Sequence, residues 1–197
     1  MKKVFVLSLV MITGAMLTAC GGRDTDSAAP GTKAPEKPRI ALIMKSLANE
    51  FFLTMEEGAR AHQAAHADQY DLFADGIKDE LDVNRQIQLV EQMMDRRVNA
   101  IVIAPADSKA LVQVCHRALD AGIVVINIDN KFDDAVLEER GIKIPFGGPD
   151  NRKGARLAGD YLMTKLQPGD PVAIVQGVPS AFNAIQRLEG FQDAIKA

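Results

Sequence analysis

The sequence contains no tryptophan, and aromatic residues make up only 5% of its 197 residues. Because aromatic residues are scarce, one that lies at an edge able to face a ligand is a stronger sign of a binding site than usual. There is no run rich in Lys and Arg, and the formal net charge is −3. This excludes the basic stripe that is typical of nucleic-acid-binding proteins. Two cysteines are too few to form a disulfide scaffold.

The signatures of common enzyme classes are also missing. No Gly-x-Ser-x-Gly segment is present, and no phosphate-binding or dinucleotide-binding glycine loop follows an apolar run. His62 and His66 have the spacing of a helical metal pair, but Gln63 stands where a zinc-protease motif needs Glu. With no third ligand evident, a solvated helix face is the simpler interpretation. We therefore predict a protein that is not an enzyme and that carries no cofactor or metal.

Cys115 is the one candidate nucleophile beyond the amino-terminal region. It shares an apolar helix face with Leu111 and Ala118, which favours the role of a small buried hydrophobic residue. Its neighbour His116 would point about 100° away on the same helix and would be poorly placed to activate the thiol.

The amino terminus has the pattern of an export signal. Lys2 and Lys3 precede an uncharged apolar stretch that ends at Ala19, which predicts a signal peptide over residues 1–19. The ending Leu-Thr-Ala-Cys resembles the bacterial lipobox, in which the Cys becomes the lipidated first residue of the mature protein. That resemblance implies lipidation of Cys20, anchoring to a membrane, and location in the periplasm or cell envelope. The alternative is an ordinary signal peptide with an incidental Cys20.

A flexible tether is predicted next. Residues 20–38 are rich in Gly, Pro, Ser, Thr and charged residues and lack apolar periodicity. The folded part is therefore expected to begin near Arg39.

The remaining sequence alternates between short apolar runs and helical patterns. Such runs fit parallel strands that are buried on both faces, and the alternation predicts a doubly wound α/β fold. The predicted strands are Ile40–Met44, Tyr70–Ala74, Ala100–Ala104, Val124–Ile128, Ile142–Phe146 and Val172–Val175.

Several residues mark the ends of the predicted helices. Asp82 and Ser108 precede helical patterns as N-cap candidates, and Gly122 follows a helix where a C′ glycine belongs. Asp150 is expected to open a helix that runs through Leu166.

Polar side chains and two aromatics follow the predicted strands. Ligands of open parallel sheets lie beyond the carboxyl ends of the strands. Carboxylate, amide and ammonium groups bind hydroxyls, and aromatic faces cover the C–H surface of a sugar, so this edge suits a polyhydroxylated ligand. The candidate ligand-binding residues are Lys45, Asn49, Phe51, Phe52, Asp129, Asn130, Lys131, Asn183 and Arg187.

From Arg39 onward the sequence resembles type I periplasmic sugar-binding proteins, the solute-capturing subunits of ABC importers, particularly ribose- and allose-binding members. The matching segments are Lys45-Ser-Leu-Ala-Asn-Glu-Phe-Phe, Ala104-Pro-Ala-Asp-Ser, Ile126-Asn-Ile-Asp, Pro149-Asp-Asn and Arg187-Leu-Glu-Gly-Phe. The resemblance implies capture of a monosaccharide or polyol and delivery to an ABC permease.

The resemblance also implies individual roles. Asn49 and Asp129 would bind sugar hydroxyls, and Phe51 and Phe52 would stack against the ring. Lys45 matches the allose type.

Further along the chain, Asn130-Lys131 looks more like the allose type than the ribose type. Ile185 stands near the place of a ligand-binding Arg in ribose-type members. A hexose, sugar alcohol or related polyol is therefore expected rather than ribose.

Each candidate also has a structural alternative. Asn49 could cap the first helix, Asp129 could cap a loop, and Lys45 could be a solvated surface residue. Phe51 and Phe52 are adjacent on a helix, so one is expected to stack on ligand and the other to pack. Arg187 could pair within its own lobe. Asp107-Ser108 and Asp150-Asn151 are assigned mainly to turns and caps.

The resemblance implies two lobes joined by hinge crossings. Residues 39–149 would form the amino-terminal lobe, and residues 150–197 part of a carboxy-terminal lobe. We accordingly expect a truncated product that binds sugar weakly or not at all. The alternatives are a sugar-sensing protein for a membrane receptor or kinase, a non-functional remnant of an importer subunit, and, less favoured, a sugar-responsive transcription regulator, whose DNA-binding domain would replace the export signal.

Overall fold

The computed structural model describes residues 36–196; the predicted signal peptide, Cys20 and most of the predicted tether lie outside them. The strands are Arg39–Ser46 (β1), Asp71–Ile77 (β2), Ala100–Ile103 (β3), Val124–Ile128 (β4) and Phe146–Gly147 (β5). The helices are Glu50–Ala65 (α1), Val83–Asp95 (α2), Val112–Asp120 (α3), Asp134–Glu139 (α4), Asn151–Met163 (α5) and Phe182–Ile195 (α6).

The five strands form one parallel sheet in the order β2-β1-β3-β4-β5. Side chains alternate across β1, so Ile43 packs on one face with residues of α2 and α3, whereas Met44 packs on the other with Phe52 of α1. Apolar residues cover both faces, as the continuous apolar runs predict. The doubly wound α/β prediction is confirmed.

Most predicted helix ends are confirmed. The Asp82 side chain accepts a hydrogen bond from the Arg85 amide at the start of α2, and Asp150 accepts one from the Lys153 amide at the start of α5. Gly122 follows α3 with φ of 79°, a conformation that glycine adopts without strain. The cap prediction for Ser108 is wrong. The neighbouring Asp107 accepts the Lys109 and Ala110 amides instead.

Three predicted boundaries are corrected by the structure. Residues 172–175 do not form a strand because no described strand runs beside them to supply a backbone hydrogen-bond ladder, and Val175 is 98% exposed. The predicted Ile142–Phe146 strand is reduced to Phe146–Gly147, although Ile144 still packs in the core. Helix α5 ends at Met163, three residues before Leu166.

Helices α5 and α6 pack closely together. Gly190 of α6 lies directly against the Arg152 backbone of α5, leaving no room for a Cβ. The Arg152 guanidinium bonds to Glu189 and Asp193 of α6. The hydrogen bond to Arg152 is the main reason that the pKa of the Asp193 carboxyl is lowered.

None of the helices among residues 36–196 combines the length and the apolar character that a membrane crossing needs.

Candidate ligand-binding site

An open cleft of about 380 Å³ lies between the carboxyl edge of the sheet and the amino-terminal end of α6. Seven of the nine ligand-binding candidates line it: Lys45, Asn49, Phe51, Phe52, Asp129, Asn183 and Arg187. They come from three separate parts of the chain, at the ends of β1 and β4 and at the start of α6. The cleft therefore brings together most of the residues that the sequence pattern singled out.

A buried ion pair forms one wall of the cleft. Lys45 Nζ lies 3.2 Å from Asp129 Oδ2, and both side chains are largely buried. The angle at this contact does not meet hydrogen-bond geometry, so Asp129 Oδ2 is a buried oxygen with no hydrogen bond within the described residues. Asp129 also has φ of 58°, a left-handed conformation that is unusual for any residue except glycine. Backbone strain of this kind is concentrated at ligand sites, and a buried polar atom without a hydrogen bond is a second feature that such sites share.

Asn49 takes the capping role that the sequence allowed, and it also lines the cleft. Its Oδ1 accepts the Phe51 amide, which caps α1, and its Nδ2 donates to Glu80 Oε1 at 3.0 Å. This pair of bonds fixes which end of the amide faces Glu80. The side chain is thus held in one orientation at the edge of the cleft.

Glu80 was missed by the sequence reasoning. It follows β2, so it lies at the same carboxyl edge as the residues after β1 and β4. Applying the strand-end rule to β2 would have found it. Glu80 places a second carboxylate in the cleft beside Asp129.

The two adjacent aromatics divide their roles. Phe52 is 4% exposed and packs under the sheet edge, whereas Phe51 is 57% exposed. Their rings meet edge to face with centroids 5.1 Å apart. Lys45 Nζ lies 5.6 Å from the Phe52 ring centroid, within the range of a cation–π contact. Phe51 therefore offers the accessible aromatic surface.

Asn130 and Lys131 do not line the cleft, so their direct ligand role is not supported. Asn130 is fully buried, and its Nδ2 donates to the Pro105 carbonyl at 2.9 Å. Lys131 Nζ donates to Asp134 Oδ2 at 2.6 Å. Each side chain is occupied by a neighbour within the protein.

The far wall of the cleft comes from α6 and the segment before it. Asn183 is buried at the start of α6, and Arg187 lies one turn further on. The Arg187 guanidinium donates to Asn151 Oδ1 on α5 at 2.9 Å, which matches the within-lobe pairing that the sequence allowed. Backbone and small residues that the sequence reasoning missed complete this wall: Gly177, Val178, Ala181 and Ala184. Small residues in a loop carry no chemical pattern that would identify them.

A buried amide fixes the sheet edge beneath the cleft. Gln86 Nε2 donates to the carbonyls of Met44 and Ala104, and its Oε1 accepts the Ala106 amide. These bonds tie together the carboxyl ends of β1 and β3. The residues that follow both strands are therefore held in register.

A second amide shapes the loop that carries Asp129. Asn127 Nδ2 donates to the Asn130 carbonyl, and Asn127 Oδ1 accepts the Phe132 amide, both at 2.8 Å. These bonds tie Asn127, which precedes Asp129, to Asn130 and Phe132, which follow it.

The structure places the catalytic candidates that the sequence analysis set aside. His62 of α1 and His66, which follows the helix, stack with ring centroids 4.0 Å apart, and residues 36–196 hold no cluster of three metal-ligating side chains. Cys115 is buried in the core, and this burial raises the pKa of its thiol to about 12. A neutral buried thiol is a poor nucleophile.

Comparisons with known proteins agree with this geometry. A family model described as a periplasmic binding protein domain matches residues 40–197. The D-ribose/D-allose-binding protein of Pseudomonas aeruginosa is 58% identical over 192 residues, which cover 98% of this chain and 60% of that protein. The ribose import binding protein of Escherichia coli K12 is 29% identical over 171 residues, 87% of this chain and 54% of that protein.

Solved structures give the same picture. An ABC transporter solute-binding protein from Burkholderia multivorans superposes with a TM-score of 0.80 at 60% identity, covering 82% of this chain and 57% of that one. A periplasmic solute-binding protein from Actinobacillus succinogenes with bound D-allose has a TM-score of 0.73 at 33% identity, covering 81% and 54%. The chain spans no more than about 60% of the length of these relatives. From the family match and these likenesses, the chain belongs to the periplasmic binding protein family.

Proposed function

We propose that this chain provides the ligand-contacting edge of an extracytoplasmic solute-binding protein that captures a monosaccharide or polyol for an ABC importer. The observation that carries the proposal is the convergence of Lys45, Asn49, Asp129 and Phe51 on one cleft. The names of the relatives, which are ribose-, allose- and galactofuranose-binding proteins, support the same class of ligand.

The chemistry of the cleft suits an uncharged polyol. The Asp129 carboxylate is an acceptor and the Lys45 ammonium is a donor, and the two line the cleft together as an ion pair. Glu80 and Arg187 add one charge of each sign, so the opposed charges suit hydroxyls rather than a phosphate or carboxylate ligand. Phe51 presents an exposed ring to the C–H face of a pyranose or furanose.

D-allose is the first ligand to test. The 58%-identical relative is named for both D-ribose and D-allose, and the Actinobacillus succinogenes structure holds D-allose. The expectation against ribose came from Lys45, Asn130-Lys131 and Ile185; Lys45 lines the cleft, but Asn130 and Lys131 do not, which weakens the expectation. D-ribose is therefore tested beside D-allose.

The experiment is a titration of the ¹⁵N-labelled chain with D-allose, D-ribose and sorbitol, followed by amide NMR. Because chemical shifts report weak binding, millimolar sugar suffices even where the affinity is low. We expect shifts at the amides around Asn49, Asp129 and Asn183, with none at His62. Asn84→Ala, on an exposed face of α2, is the matched control for Asn49→Ala, which should lose the shifts. The absence of shifts with every sugar would overturn the proposal.

We also propose export to the periplasm and lipid anchoring through Cys20, with a tether to residue 38 and lobes at 39–149 and 150–197. The lipobox-like ending before Cys20 supports the anchor. The test is the intact mass of the membrane-extracted protein with and without Cys20→Ser. The expected wild-type mass lacks residues 1–19 and includes acyl chains, and the variant loses the acyl mass. An unacylated wild-type product would contradict the anchor.

A further inference from the structure

Helix α6 begins without a capping side chain of its own. Its N-cap residue is Ala181, with the extended backbone that N-caps adopt, but a methyl group cannot accept a hydrogen bond. The first amides of a helix have no partner within the helix. The amides of Phe182 and Asn183 therefore need acceptors from elsewhere.

Two side chains distant in sequence supply these acceptors. Ser108 Oγ accepts the Phe182 amide at 2.9 Å, and Asn130 Oδ1 accepts the Asn183 amide at 3.1 Å. Ser108 Oγ also donates to Asn130 Oδ1 at 3.4 Å, so the two acceptors are linked. Both residues are buried and lie in loops that follow β3 and β4.

The same contact continues along the segment before α6. The Ser108 amide donates to the Ser180 carbonyl at 3.3 Å. Burial alone would raise the pKa of the neighbouring Asp107 carboxyl, but the hydrogen bonds that it accepts from the Ala110 and Lys109 amides lower it. The segment from Ser180 to Asn183 is therefore joined to the loop after β3 by side-chain and backbone bonds.

We propose that Ser108 and Asn130 are positioning residues of the cleft, because they cap α6 from the sheet. Capping from a distance works only while α6 lies against the sheet edge. The two residues thereby hold the wall that carries Asn183 and Arg187 opposite the wall that carries Lys45. Moving α6 away would uncover two amides, so the position of α6 against the sheet edge is favourable for the helix itself.

This role also accounts for the position of Asn130 beside Asp129. Asp129 lines the cleft, while the next residue along the chain caps α6. A ligand held by Asp129 would therefore act on the loop that holds α6. Only this link between a bound ligand and α6 rests on the proposed function; the capping contacts do not.

The first test is amide hydrogen exchange by NMR on the full chain without sugar. In the wild type, the amides of Phe182 and Asn183 should be protected. Ser108→Ala should raise the exchange rate at Phe182 about tenfold, the size expected for loss of a helix cap, and leave β1 unchanged. Asn130→Ala should do the same at Asn183, with Asn84→Ala as its control. Unprotected amides in the wild type, or no change in Ser108→Ala, would overturn the proposal.

A second measurement separates positioning from simple helix stabilisation. Spin labels attached to Glu57→Cys on α1 and Lys165→Cys after α5, which are both exposed positions, report the distance between the two walls. The background variant is Cys20→Ser, and Cys115 stays unlabelled because it is buried. Asn130→Ala should broaden this distance distribution. Adding Ala181→Ser gives α6 a side chain that can accept the Asn183 amide, so it should restore protection at Asn183 without restoring the narrow distribution. If Ala181→Ser restores both, the residues only stabilise the helix and the proposal fails.

Discussion

Lys45 and Asp129 form an ion pair across the carboxyl edge of the sheet, with Nζ and Oδ2 3.2 Å apart. One residue ends β1 and the other follows β4, with β3 between them. The pair closes the sheet edge at the cleft while leaving Asp129 Oδ2 without a hydrogen bond. Under the proposed function, stability and ligand recognition therefore depend on the same two side chains.

Removing one charge of this pair should cost more than removing both. Asp129→Asn keeps the side-chain shape and tolerates the left-handed backbone, but it leaves Lys45 buried without a counter-charge. The free energy of unfolding should fall by about 3 kcal/mol. The double variant Lys45→Met/Asp129→Asn should recover most of that loss. Urea unfolding of the single and double variants measures this coupling, and strictly additive losses would contradict it.

Phe51 and Phe52 should respond in opposite ways to truncation. Phe52→Ala removes a buried ring and should lower the free energy of unfolding by about 4 kcal/mol. Phe51→Ala removes an exposed ring and should change it by no more than about 0.5 kcal/mol. Under the proposed function, Phe51→Ala weakens sugar binding about tenfold. Equal stability losses in the two variants would show that the division of roles is wrong.

The sequence predicted the sheet edge better than the segment between α5 and α6, for a physical reason. Lys45, Asn49 and Asp129 follow apolar strands, and parallel topology brings all strand ends to one edge. The side chain of Asn130 carries the same kind of chemistry as a ligand residue, and only the three-dimensional contact with Pro105 and Asn183 reveals its structural role. Val172–Val175 has strand composition, but a strand also needs a neighbouring strand to pair with, which local sequence does not report.

Cys115 should make stability fall in alkaline solution. Burial raises the pKa of its thiol from an ordinary 9.0 to about 12, so the folded state retains the proton that the unfolded chain releases. Its stabilising contribution is complete below pH 9 and is lost as pH rises toward 12.

Between pH 9 and 10, this group alone should lower the free energy of unfolding by about 1 kcal/mol. Cys115→Ala should lack that component, while every other titrating group is shared with the wild type. Urea unfolding at both pH values measures the difference. Identical pH slopes for the two proteins would contradict the prediction.

Close packing of α5 on α6 should depend on one glycine. A Cβ at Gly190 would lie within van der Waals overlap of the Arg152 carbonyl oxygen and carbon, which belong to rigid helix backbone. Gly190→Ala should therefore force the helices apart and cost about 3 kcal/mol. Gly154 on α5 has nothing within 4 Å of its Cβ position. Gly154→Ala, as the matched control, should be stabilising by about 0.5 kcal/mol through helix propensity.

Thermal and urea unfolding of both glycine variants show whether the steric clash at Gly190 outweighs the gain in helix propensity. If packing dominates at Gly190, its variant should also expose the amides of α6 to hydrogen exchange while those of β1 and β3 stay protected, because the sheet core does not contain α6. A Gly190→Ala protein with a higher free energy of unfolding than the wild type would mean that the two helices can separate without loss of stability. The wall of the cleft that carries Asn183 and Arg187 would then be free to move.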